Sequence, residues 1–369
     1  MENVRGALSA AFIETLIEKG CVPCDQAIQP SQIQPASLDL TLSAEAYKIP
    51  GSILPLRGER VRDLLDRFYA RPVDLSEPQF LDRGQVYLIR LNEGLNLPPS
   101  IGAYTNNKSS TGRIDLQTRT ISDGNPRYEK HRRGYKGPLW LEVISKSFDI
   151  RVRAGVSLNQ AIFYGEREIL GDAAMRELIA ESPLLYDKAS VPLSMSGHEI
   201  DQGILMSIDL DQDVVGYVAR RAPEPLILDE PHRHDPSDFF EPILRPRSER
   251  LMLLKGQFYI LSTLEYLRVP MSYAVEMLPY ETTAGEFRAH YAGFFDPGFG
   301  FGTSGEEKGT PAVLEVRPYD DDLILRHGQP ICKMVYERLC SPARTAYGSG
   351  GANHYAQQRG PRLSKYFSE

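Results

Sequence analysis

Two segments of this chain repeat one another, and the repeat limits what the chain can fold into. The segment GQVYLIRLNEGLNLPPS from Gly84 aligns with GQFYILSTLEYLRVPMS from Gly256, an offset of 172 residues. Identical pairs at that offset include Gln85/Gln257, Tyr87/Tyr259, Glu93/Glu265, Pro98/Pro270 and Ser100/Ser272. A repeat of this length is a domain rather than one turn of a solenoid or one propeller blade. We therefore predict a tandem duplication of one domain.

Both copies are rich in strand-like segments. These segments, such as QVYLIRL, LWLEVIS and QFYILSTL, are short, rich in β-branched and aromatic residues, and bounded by Gly, Pro and Asn. Helical periodicity occurs mainly in residues 7–19, 59–69 and 172–182. The last of these predicts a connector between the two copies. The chain is therefore predicted to be mainly β with a few short helices.

Two further pairs of segments extend the alignment. Glu142 in GPLWLEV matches Glu315 in TPAVLEV, and ASLDL at residues 36–40 is aligned with MSIDL at residues 206–210. A strand glutamate between apolar neighbours either faces outward or carries a function, and alternation permits both. The sequence alone therefore leaves the role of this matched pair open.

The two copies differ where polar chemistry is concentrated. The first copy has KSSTGR at residues 108–113, in which two cations flank hydroxyls on a predicted turn suited to anions. The second copy has Glu281 and Glu286 around that position, which would repel phosphate. Conversely, only the second copy has the Gly- and Phe-rich stretch at residues 289–309, which is predicted to be a hairpin lining a pocket or packed in the core. The copies therefore complement each other.

Charge and composition disfavour several classes of function. The net charge of −7 does not provide the broad basic face that nonspecific nucleic-acid binding needs. Apolar runs are short and interrupted, and the N-terminal segment is typical of an amphipathic helix rather than a signal peptide. We therefore predict a cytoplasmic protein that binds neither nucleic acid nor membrane.

Cysteine and histidine spacings do not predict a metal site. Cys21 and Cys24 have CxxC spacing, but neither a second pair nor a His cluster completes a four-ligand zinc site. We interpret them as free thiols at a helix end. His232 and His234 lie in a polar stretch that is typical of a solvated loop, and we interpret them as structural.

Four motifs together resemble those of the dCTP deaminase branch of the dUTPase-like superfamily. They are KSSTGR at residues 108–113, YAGFFDPG at residues 291–298, the Leu314-Glu315 pair, and YAQQRGP at residues 355–361. Each motif alone is weak, and the combination is specific. The resemblance covers nearly the whole chain and indicates a long, tandem-domain form, whereas typical members have half this length and are trimeric.

The resemblance implies two tandem dUTPase-like domains of β-clip or jelly-roll-like fold. Residues 1–170 are predicted to form the first domain, residues 171–200 a helical connector, residues 201–345 the second domain, and residues 346–369 a flexible lid. Family sites combine the S-S-x-x-R loop of one subunit with the hairpin, glutamate and tail of another. The tandem chain is therefore predicted to divide one site between its two copies.

The resemblance also implies zinc-independent deamination at cytosine C4. Zinc deaminases carry H-x-E with P-C-x-x-C, whereas here His198 and Glu199 are adjacent. Without a metal, a carboxylate acts as base and then acid, and Glu315 is predicted to be that group. Ser109 and the Ala292 carbonyl are predicted to hold the attacking water, and Arg113 to orient the glutamate.

The remaining predicted site residues bind the substrate. Lys108 and Ser110 are predicted to meet the phosphates, although Lys108 stands where the family has Arg and gives a point charge instead of a fork. Asp296 is predicted to accept a hydrogen bond from the sugar 3′-hydroxyl. Predicted to pack the deoxyribose or close over the triphosphate are Gly293, Phe294, Phe295, Phe299, Tyr355, Gln358 and Arg359. Magnesium is expected to arrive with the triphosphate and not through protein ligands.

The lead hypothesis is a dCTP deaminase that forms dUTP and ammonia for dTTP synthesis. One alternative is a dUTP diphosphatase or a bifunctional deaminase and diphosphatase, and another is a deoxynucleotide sensor without catalysis. The resemblance implies dCTP and dUTP as ligands, with dTTP as a possible inhibitor. A homo-oligomer is compatible with the sequence, which leaves open whether sites form within or between chains.

Overall fold

The structure is a computed structural model that describes residues 4–194, 199–279, 293–349, 355–356 and 358–368. Strands account for 40% and helices for 11%, so the predicted mainly β fold is confirmed. In the described part of the chain, the helices α1 to α4 span Ala10–Glu18, Val61–Arg67, Ser109–Gly112 and Asp172–Glu181. Three of these are the helices that periodicity predicted. None of the helices in the described ranges is long and apolar enough to cross a membrane.

The chain folds as two compact units that are not contiguous in sequence. The first unit comprises Met1–Glu166, Arg221–Asp238 and Ser364–Glu369, and the second comprises Arg167–Arg220 and Phe239–Leu363. The predicted boundaries divide the chain linearly, whereas the first unit includes two segments from much later in the sequence. Short 3-10 turns at Pro30–Gln32 and Pro236–Asp238 lie in the first unit.

The first unit is built around one long, bent sheet. Its strand order is β6-β8-β4-β1-β10-β5-β7, with β2 also on β1, and a separate sheet has the order β14-β9-β3. Strand β1 joins the two parts of the large sheet because it pairs with β10 at its start and with β4 farther along. The strands are β1 Leu38–Ile49, β2 Arg71–Asp74, β3 Gln79–Leu81, β4 Val86–Asn96, β5 Gly102–Asn107, β6 Leu116–Ser122, β7 Lys130–His131, β8 Lys136–Ser145, β9 Ile150–Val152, β10 Ser157–Tyr164 and β14 Leu226–Ile227.

The second unit contains three smaller sheets. Their orders are β11-β17-β13-β15 with β20 on β17, β12-β22-β18-β19, and β16-β21. Apolar side chains from the first two sheets and from α4 form its core. The strands are β11 Leu185–Tyr186, β12 Ile204–Ser207, β13 Val214–Ala219, β15 Phe240–Leu244, β16 Arg250–Leu253, β17 Tyr259–Leu267, β18 Tyr273–Pro279, β19 Phe294–Phe295, β20 Thr310–Val316, β21 Leu323–Arg326 and β22 Pro330–Arg338.

The sequence repeat corresponds to a repeat of strand pairing. The ladders β1·β10, β10·β5, β4·β8 and β3·β9 of the first unit have counterparts in β12·β22, β22·β18, β17·β20 and β16·β21 of the second. The matched glutamates occupy equivalent positions in the two units. Glu142 lies opposite Leu88, Glu315 lies opposite Ile260, and Leu88 and Ile260 match at the repeat offset. The two units therefore have the same fold, as the duplication predicted.

The predicted alignment of residues 36–40 with residues 206–210 is wrong by four residues. Leu40 lies opposite Asn159 next to a β-bulge, and Met206 lies opposite Cys332 next to a matching bulge. Since Asn159 and Cys332 occupy equivalent positions in β10 and β22, Leu40 corresponds to Met206 and not to Leu210. The similarity of SLDL to SIDL gave the wrong alignment because the second unit has four more residues between the bulge and the position where Tyr47 and Tyr217 lie opposite Leu88 and Ile260.

The identical pair Glu93 and Glu265 has a structural role at these bulges. Both carboxylates are buried, and each accepts a hydrogen bond from a strand amide just after the bulge. The donors are the Thr41 amide to Glu93 and the Ser207 amide to Glu265, each at 2.8 Å. Burial raises the pKa of Glu93, and the hydrogen bonds from Thr41 oppose that rise. Glutamate therefore occurs at this position in both copies because its carboxylate holds the backbone next to the bulge.

Candidate active site

The KSSTGR segment forms a one-turn helix at the end of β5 in the first unit. The turn is closed by backbone hydrogen bonds to the Lys108 carbonyl from the Thr111 and Gly112 amides, at 2.9 and 3.0 Å. Ser109 is exposed, whereas Ser110 and Arg113 are buried. The turn therefore presents Ser109 to solvent, as a ligand-binding loop requires. We call residues 108–113 the anion loop.

A buried carboxylate holds the first cation of the anion loop. The Lys108 ammonium forms an ion pair with Asp39 of β1, and the Asp39 side chain is buried while that of Lys108 is only partly exposed. In the second unit the position matching Asp39 is Leu205, since each lies opposite the equivalent residue of the neighbouring strand. The ion pair thus belongs to the first unit only. Sequence analysis missed Asp39, although a charge in the apolar strand ASLDL was a signal.

Buried polar side chains continue this site beneath the loop. Asn107 donates to the Leu116 carbonyl at 2.8 Å, and Gln160 donates to Asn106 at 2.9 Å. Asn159 donates to the Thr118 hydroxyl at 3.0 Å. Burying amides costs stability unless they are hydrogen-bonded. In the second unit the positions of Asn106 and Asn159 are taken by Leu278 and Cys332.

We call Asp39, Asn106, Asn107, Thr111, Asn159 and Gln160 of the first unit the polar cluster. The apolar or thiol residues that replace several of them in the second unit favour a functional role for this cluster. Within the described part of the chain, four of its buried atoms have no hydrogen-bond partner. They are Asp39 Oδ1, Asn106 Nδ2, Thr111 Oγ1 and Asn159 Oδ1. Such atoms are costly and uncommon in folded proteins. The cluster therefore has hydrogen-bonding atoms that do not take part in hydrogen bonds within the fold.

The end of the chain packs against the anion loop within the first unit. The Ser364 hydroxyl donates to the Ser110 carbonyl at 2.8 Å. The loop with His232 and His234 anchors the segment, because the His232 amide donates to the Lys365 carbonyl at 2.8 Å and the Ser368 amide donates to the His234 carbonyl at 2.8 Å. The His234 ring is buried and accepts from the Ile227 amide at 2.9 Å, and burial lowers its pKa. These contacts agree with a structural role for both histidines, but the burial of His234 contradicts the solvated loop predicted for it.

In the second unit, Glu315 lies on the face of β20 that points away from the core. Its neighbours Leu314 and Val316 are core residues, so alternation places Glu315 on the opposite face, across from Ile260 of β17. The side chain is nonetheless buried, with 6% of the residue exposed. A buried strand carboxylate has the environment in which a proton-transfer group can be tuned.

The matched glutamate of the first unit is held by an arginine and a tyrosine. Glu142 accepts a hydrogen bond at 3.0 Å from Nε of Arg119, and the Tyr128 hydroxyl lies 3.3 Å from its other oxygen. The Arg119 guanidinium also stacks on the Tyr128 ring, 3.8 Å from the centroid. The Glu142 carboxylate is therefore held in an ion pair, and its lack of a catalytic role stays a prediction.

The described part of the Gly- and Phe-rich stretch forms a short hairpin with β18. The Met277 amide donates to the Gly293 carbonyl at 2.8 Å, and Phe295 pairs with Val275. Gly298 has φ of 92°, and a Cβ there would lie 2.5 Å from the Ala346 Cβ. Glycine is thus required both by the turn and by close packing. Ala292, predicted to hold the attacking water, lies outside the described residues.

The three predicted phenylalanines differ in accessibility. Phe299 is a core residue, and its ring lies 4.8 Å from that of Phe295 and 5.6 Å from that of Tyr347. Phe294 is buried as well, whereas Phe295 is partly exposed. Asp296 is buried next to these rings. Phe295 is the most exposed of the three rings, and it also packs against the core of the second unit.

The first unit has a histidine where the hairpin places Phe295. His131 of β7 lies opposite Ala103, which matches Val275 at the repeat offset. The His131 ring is buried between the hydroxyls of Thr120 and Ser122, at 2.9 and 3.0 Å. Burial lowers the pKa of His131 to about 4, so the ring is neutral near pH 7. The first unit thus carries a fixed polar contact at this position instead of an accessible ring.

The tail of the second unit runs beside β20. The Thr310 hydroxyl donates to the Ala356 carbonyl at 3.1 Å, and the side-chain amide of Gln358 donates through Nε2 to the Pro311 carbonyl at 2.7 Å. The Tyr266 hydroxyl donates to the Arg359 carbonyl at 3.2 Å. Tail residues predicted to bind substrate therefore pack at the start of the strand that carries Glu315. Opening of the tail as a lid stays a prediction.

The described residues contain no group of three or more His, Cys, Asp or Glu side chains arranged to hold a metal ion. All four cysteines carry thiols, and Cys332 is buried while Cys24 is exposed.

Family models match almost the whole chain in two parts. Residues 4–167 match the N-terminal domain model of 2′-deoxycytidine 5′-triphosphate deaminase, and residues 172–367 match the C-terminal domain model of the same family. The two matches correspond to the two copies of the repeat.

Curated relatives resemble parts of the chain. A protein of Methanobrevibacter smithii named "dCTP deaminase, dUMP-forming" is 24% identical over 200 residues, which are 53% of this chain and 94% of that protein. A protein of Bifidobacterium longum with the same name is 34% identical over 122 residues, 32% of this chain and 59% of that protein.

A solved structure matches both units. The crystal structure of 2′-deoxycytidine 5′-triphosphate deaminase from Agrobacterium tumefaciens superimposes with a TM-score of 0.84 at 38% sequence identity. The match covers 91% of this chain and 100% of that one, so the tandem arrangement is shared along its length.

Proposed function

The chain belongs to the 2′-deoxycytidine 5′-triphosphate deaminase family, and from this membership we propose that it hydrolyses dCTP to a deoxyuridine nucleotide and ammonia. The observation that carries the proposal is that family models and a solved deaminase match both copies of the repeat. The fold alone would leave the chemistry open, since one fold hosts many functions. The residues of the candidate site supply the groups that the reaction needs.

The proposed reaction begins with attack of water on cytosine C4. A base takes a proton from the water as the C–O bond forms, and protonation of N3 and of the exocyclic amine then allows ammonia to leave as the C4–N bond breaks. One carboxylate can carry these protons in sequence. We assign that role to Glu315, because it is a buried strand carboxylate directed away from the core.

The remaining catalytic assignments follow the family motifs. Ser109 is exposed on the anion loop, where its hydroxyl can hold the attacking water together with the Ala292 carbonyl. Arg113 is buried at the end of the same turn and is assigned to orient the glutamate and stabilise developing negative charge. A change of the Ser109 or Arg113 side chain is therefore predicted to lower turnover.

The substrate-binding assignments use the anion loop, the hairpin and the tail. Lys108 and Ser110 are proposed to bind phosphate, and magnesium is proposed to come with the triphosphate rather than with protein ligands. Asp296 is proposed to bind the 3′-hydroxyl, and Phe295 to exclude a 2′-hydroxyl by steric contact. The tail residues are proposed to close over the phosphates: Tyr355, Gln358 and Arg359.

The identity of the deoxyuridine nucleotide, dUTP or dUMP, is a separate part of the proposal. We favour dUTP, because deamination at the base needs only the Glu315 and anion-loop groups, whereas release of dUMP needs a second water directed at the α-phosphate. The curated relatives, however, are named dUMP-forming. A bifunctional enzyme is therefore the second candidate.

Product analysis tests both candidates in one assay. We expect incubation with dCTP and magnesium to release ammonia in equal amount to a uracil nucleotide, and anion-exchange chromatography to identify it as dUTP. A dUMP peak with pyrophosphate would identify the bifunctional enzyme. Tight dCTP binding without ammonia would contradict the proposal and support a sensor. A zinc-selective chelator, added with magnesium in excess, is expected to leave the rate unchanged.

A further inference from the structure

Strand β21 of the second unit has an open edge where the matching strand of the first unit is covered. In the first unit β9 lies between β3 and β14, whereas in the described part of the second unit β21 pairs with β16 alone. Phe80 and Met252 match at the repeat offset, so their partners across the ladder, Arg151 of β9 and Ile324 of β21, are equivalent. The Arg151 carbonyl accepts a hydrogen bond from the Leu228 amide, beside β14, at 3.0 Å. By this equivalence, the backbone of Ile324 faces the open edge.

The side chains at the two equivalent positions differ in what they can bind. The Arg151 guanidinium lies 3.2 Å from the Asp229 carboxylate and 2.9 Å from that of Glu230, both just after β14. Ile324 is 55% exposed, and Met252 across the ladder is 54% exposed. The first unit thus holds its covering segment by charge, whereas the second unit presents an apolar strand edge that another strand would cover.

The two ends of β21 carry charges of opposite sign. Asp322 precedes the apolar residues 323–325, and Arg326 follows them. Antiparallel pairing of the strand with a second copy about Ile324 would place Asp322 of each chain opposite Arg326 of the other, whereas parallel pairing would place like charges side by side. Arg326 lies opposite Arg250 of β16, and neither has an ion pair among the described residues. An acidic neighbour on the open side of Arg326 would relieve this repulsion.

We propose that β21 is a self-association edge, at which two copies of the chain pair through antiparallel β21 strands. A two-fold axis at Ile324 would form one continuous sheet in the order β16-β21-β21-β16. Reciprocal backbone hydrogen bonds would join the Ile324 residues, and an Asp322–Arg326 pair would flank them on each side. Such an interface is isologous and closes at a dimer. Because the strand is short, the association is expected to be weak and concentration-dependent.

Protection of the edge against pairing explains these residues less well. Sheet edges are commonly guarded by a charged residue or proline within the strand or by a covering segment. Here the middle residue is the exposed Ile324, and the charges at the strand ends are complementary in antiparallel pairing. Leu325 belongs to the core of the second unit and Leu323 packs against it. Alternation therefore fixes Ile324 on the outer face.

Cross-linking of the intact chain tests this geometry, in a Cys24→Ser background that removes the exposed thiol. Cysteines at position 324 of the two copies would have Cα atoms about 5.5 Å apart, whereas cysteines at position 252 would have Cα atoms about 14 Å apart. A short bis-maleimide linker should therefore join Ile324→Cys chains into dimers. The similarly exposed Met252→Cys variant should give no more dimer than the Cys24→Ser parent.

Sedimentation velocity over a concentration series measures the association itself. The wild type is expected to form a dimer, and Ile324→Lys to weaken it by at least about 10-fold because two ammonium groups would meet at the axis. Phe80→Lys, a change at an exposed strand position of the first unit, should leave the dimer intact. A wild type that stays monomeric, equal cross-linking of the two cysteine variants, or a dimer that Ile324→Lys leaves unchanged would overturn the inference. The outcome does not depend on the proposed enzymatic activity.

Discussion

Glu142 and Glu315 show what a duplicated sequence can and cannot predict at the scale of single residues. The alignment identified the pair, and the structure places both at the same position of the strand ladder. Glu142 forms an ion pair with Arg119 of an adjacent strand. Arg119 lies 23 residues from Glu142 in sequence, so no local pattern identifies it as a partner. Residue matching was therefore predictable, whereas partner assignment was not.

His131 is expected to make the stability of the chain depend on pH. Its pKa of about 4 lies below the ordinary value of 6.5, so the unfolded chain takes up this proton first. Stability from the neutral ring is thus complete above pH 6.5 and is lost as the pH falls from 6.5 towards 4. The loss at pH 5 is about 2 kcal/mol.

Urea unfolding of His131→Gln at pH 8 and pH 5 measures this contribution. The variant should show a smaller fall in the free energy of unfolding between these pH values than the wild type. His232→Gln, at an exposed position, should retain the wild-type fall. Equal pH dependence of all three proteins would contradict the assignment of a low pKa to His131.

At the scale of elements, strands were easier to predict than their registers. Alternation and composition predicted the main strands and three helices, and the alignment of β4 with β17 held. The alignment of β1 with β12 failed because the first unit continues β1 as one strand, whereas the second uses two, β12 and β13. Both units have the bulge and its buried glutamate, so the difference lies in the segment that follows the bulge, and local similarity does not show it.

The C-terminal segment is expected to act as a structural element of the first unit. Phe367 is 3% exposed and bridges to His234, so Phe367→Ala should lower the free energy of unfolding by about 3 kcal/mol. Phe80→Ala is the matched control, because Phe80 is 60% exposed and its truncation should cost less than about 1 kcal/mol. Urea midpoints give both values, and equal effects of the two changes would contradict this role.

At the scale of the whole molecule, the duplication predicted two units of one fold. It did not predict that the first unit is completed by Arg221–Asp238 and Ser364–Glu369. Strand β14 from the first of these segments pairs with β9, and Leu226 is fully buried there. The completion of the first unit by these later segments depends on packing between residues distant in sequence, which composition does not predict.

Because later segments complete the first unit, we predict that the first half of the chain does not fold fully when it is produced without the second half. A fragment of residues 1–170 lacks both later segments, so it should expose the edge of β9 and unfold at lower urea concentration than the intact chain, with a broad transition. Coexpression with residues 171–369 should restore a single cooperative transition. A monomeric fragment with the urea midpoint of the intact chain would contradict this view of the fold.

The account depends most on Glu315 as the group that moves protons during deamination. Ammonia release from dCTP by Glu315→Gln, with nucleotide affinity measured on the same protein, tests this most directly, and Glu142→Gln serves as the matched control. We predict that Glu315→Gln binds dCTP within a few-fold of the wild type and loses turnover by at least about 1,000-fold, while Glu142→Gln retains it. Substantial turnover by Glu315→Gln, or an equal loss in Glu142→Gln, would contradict the account.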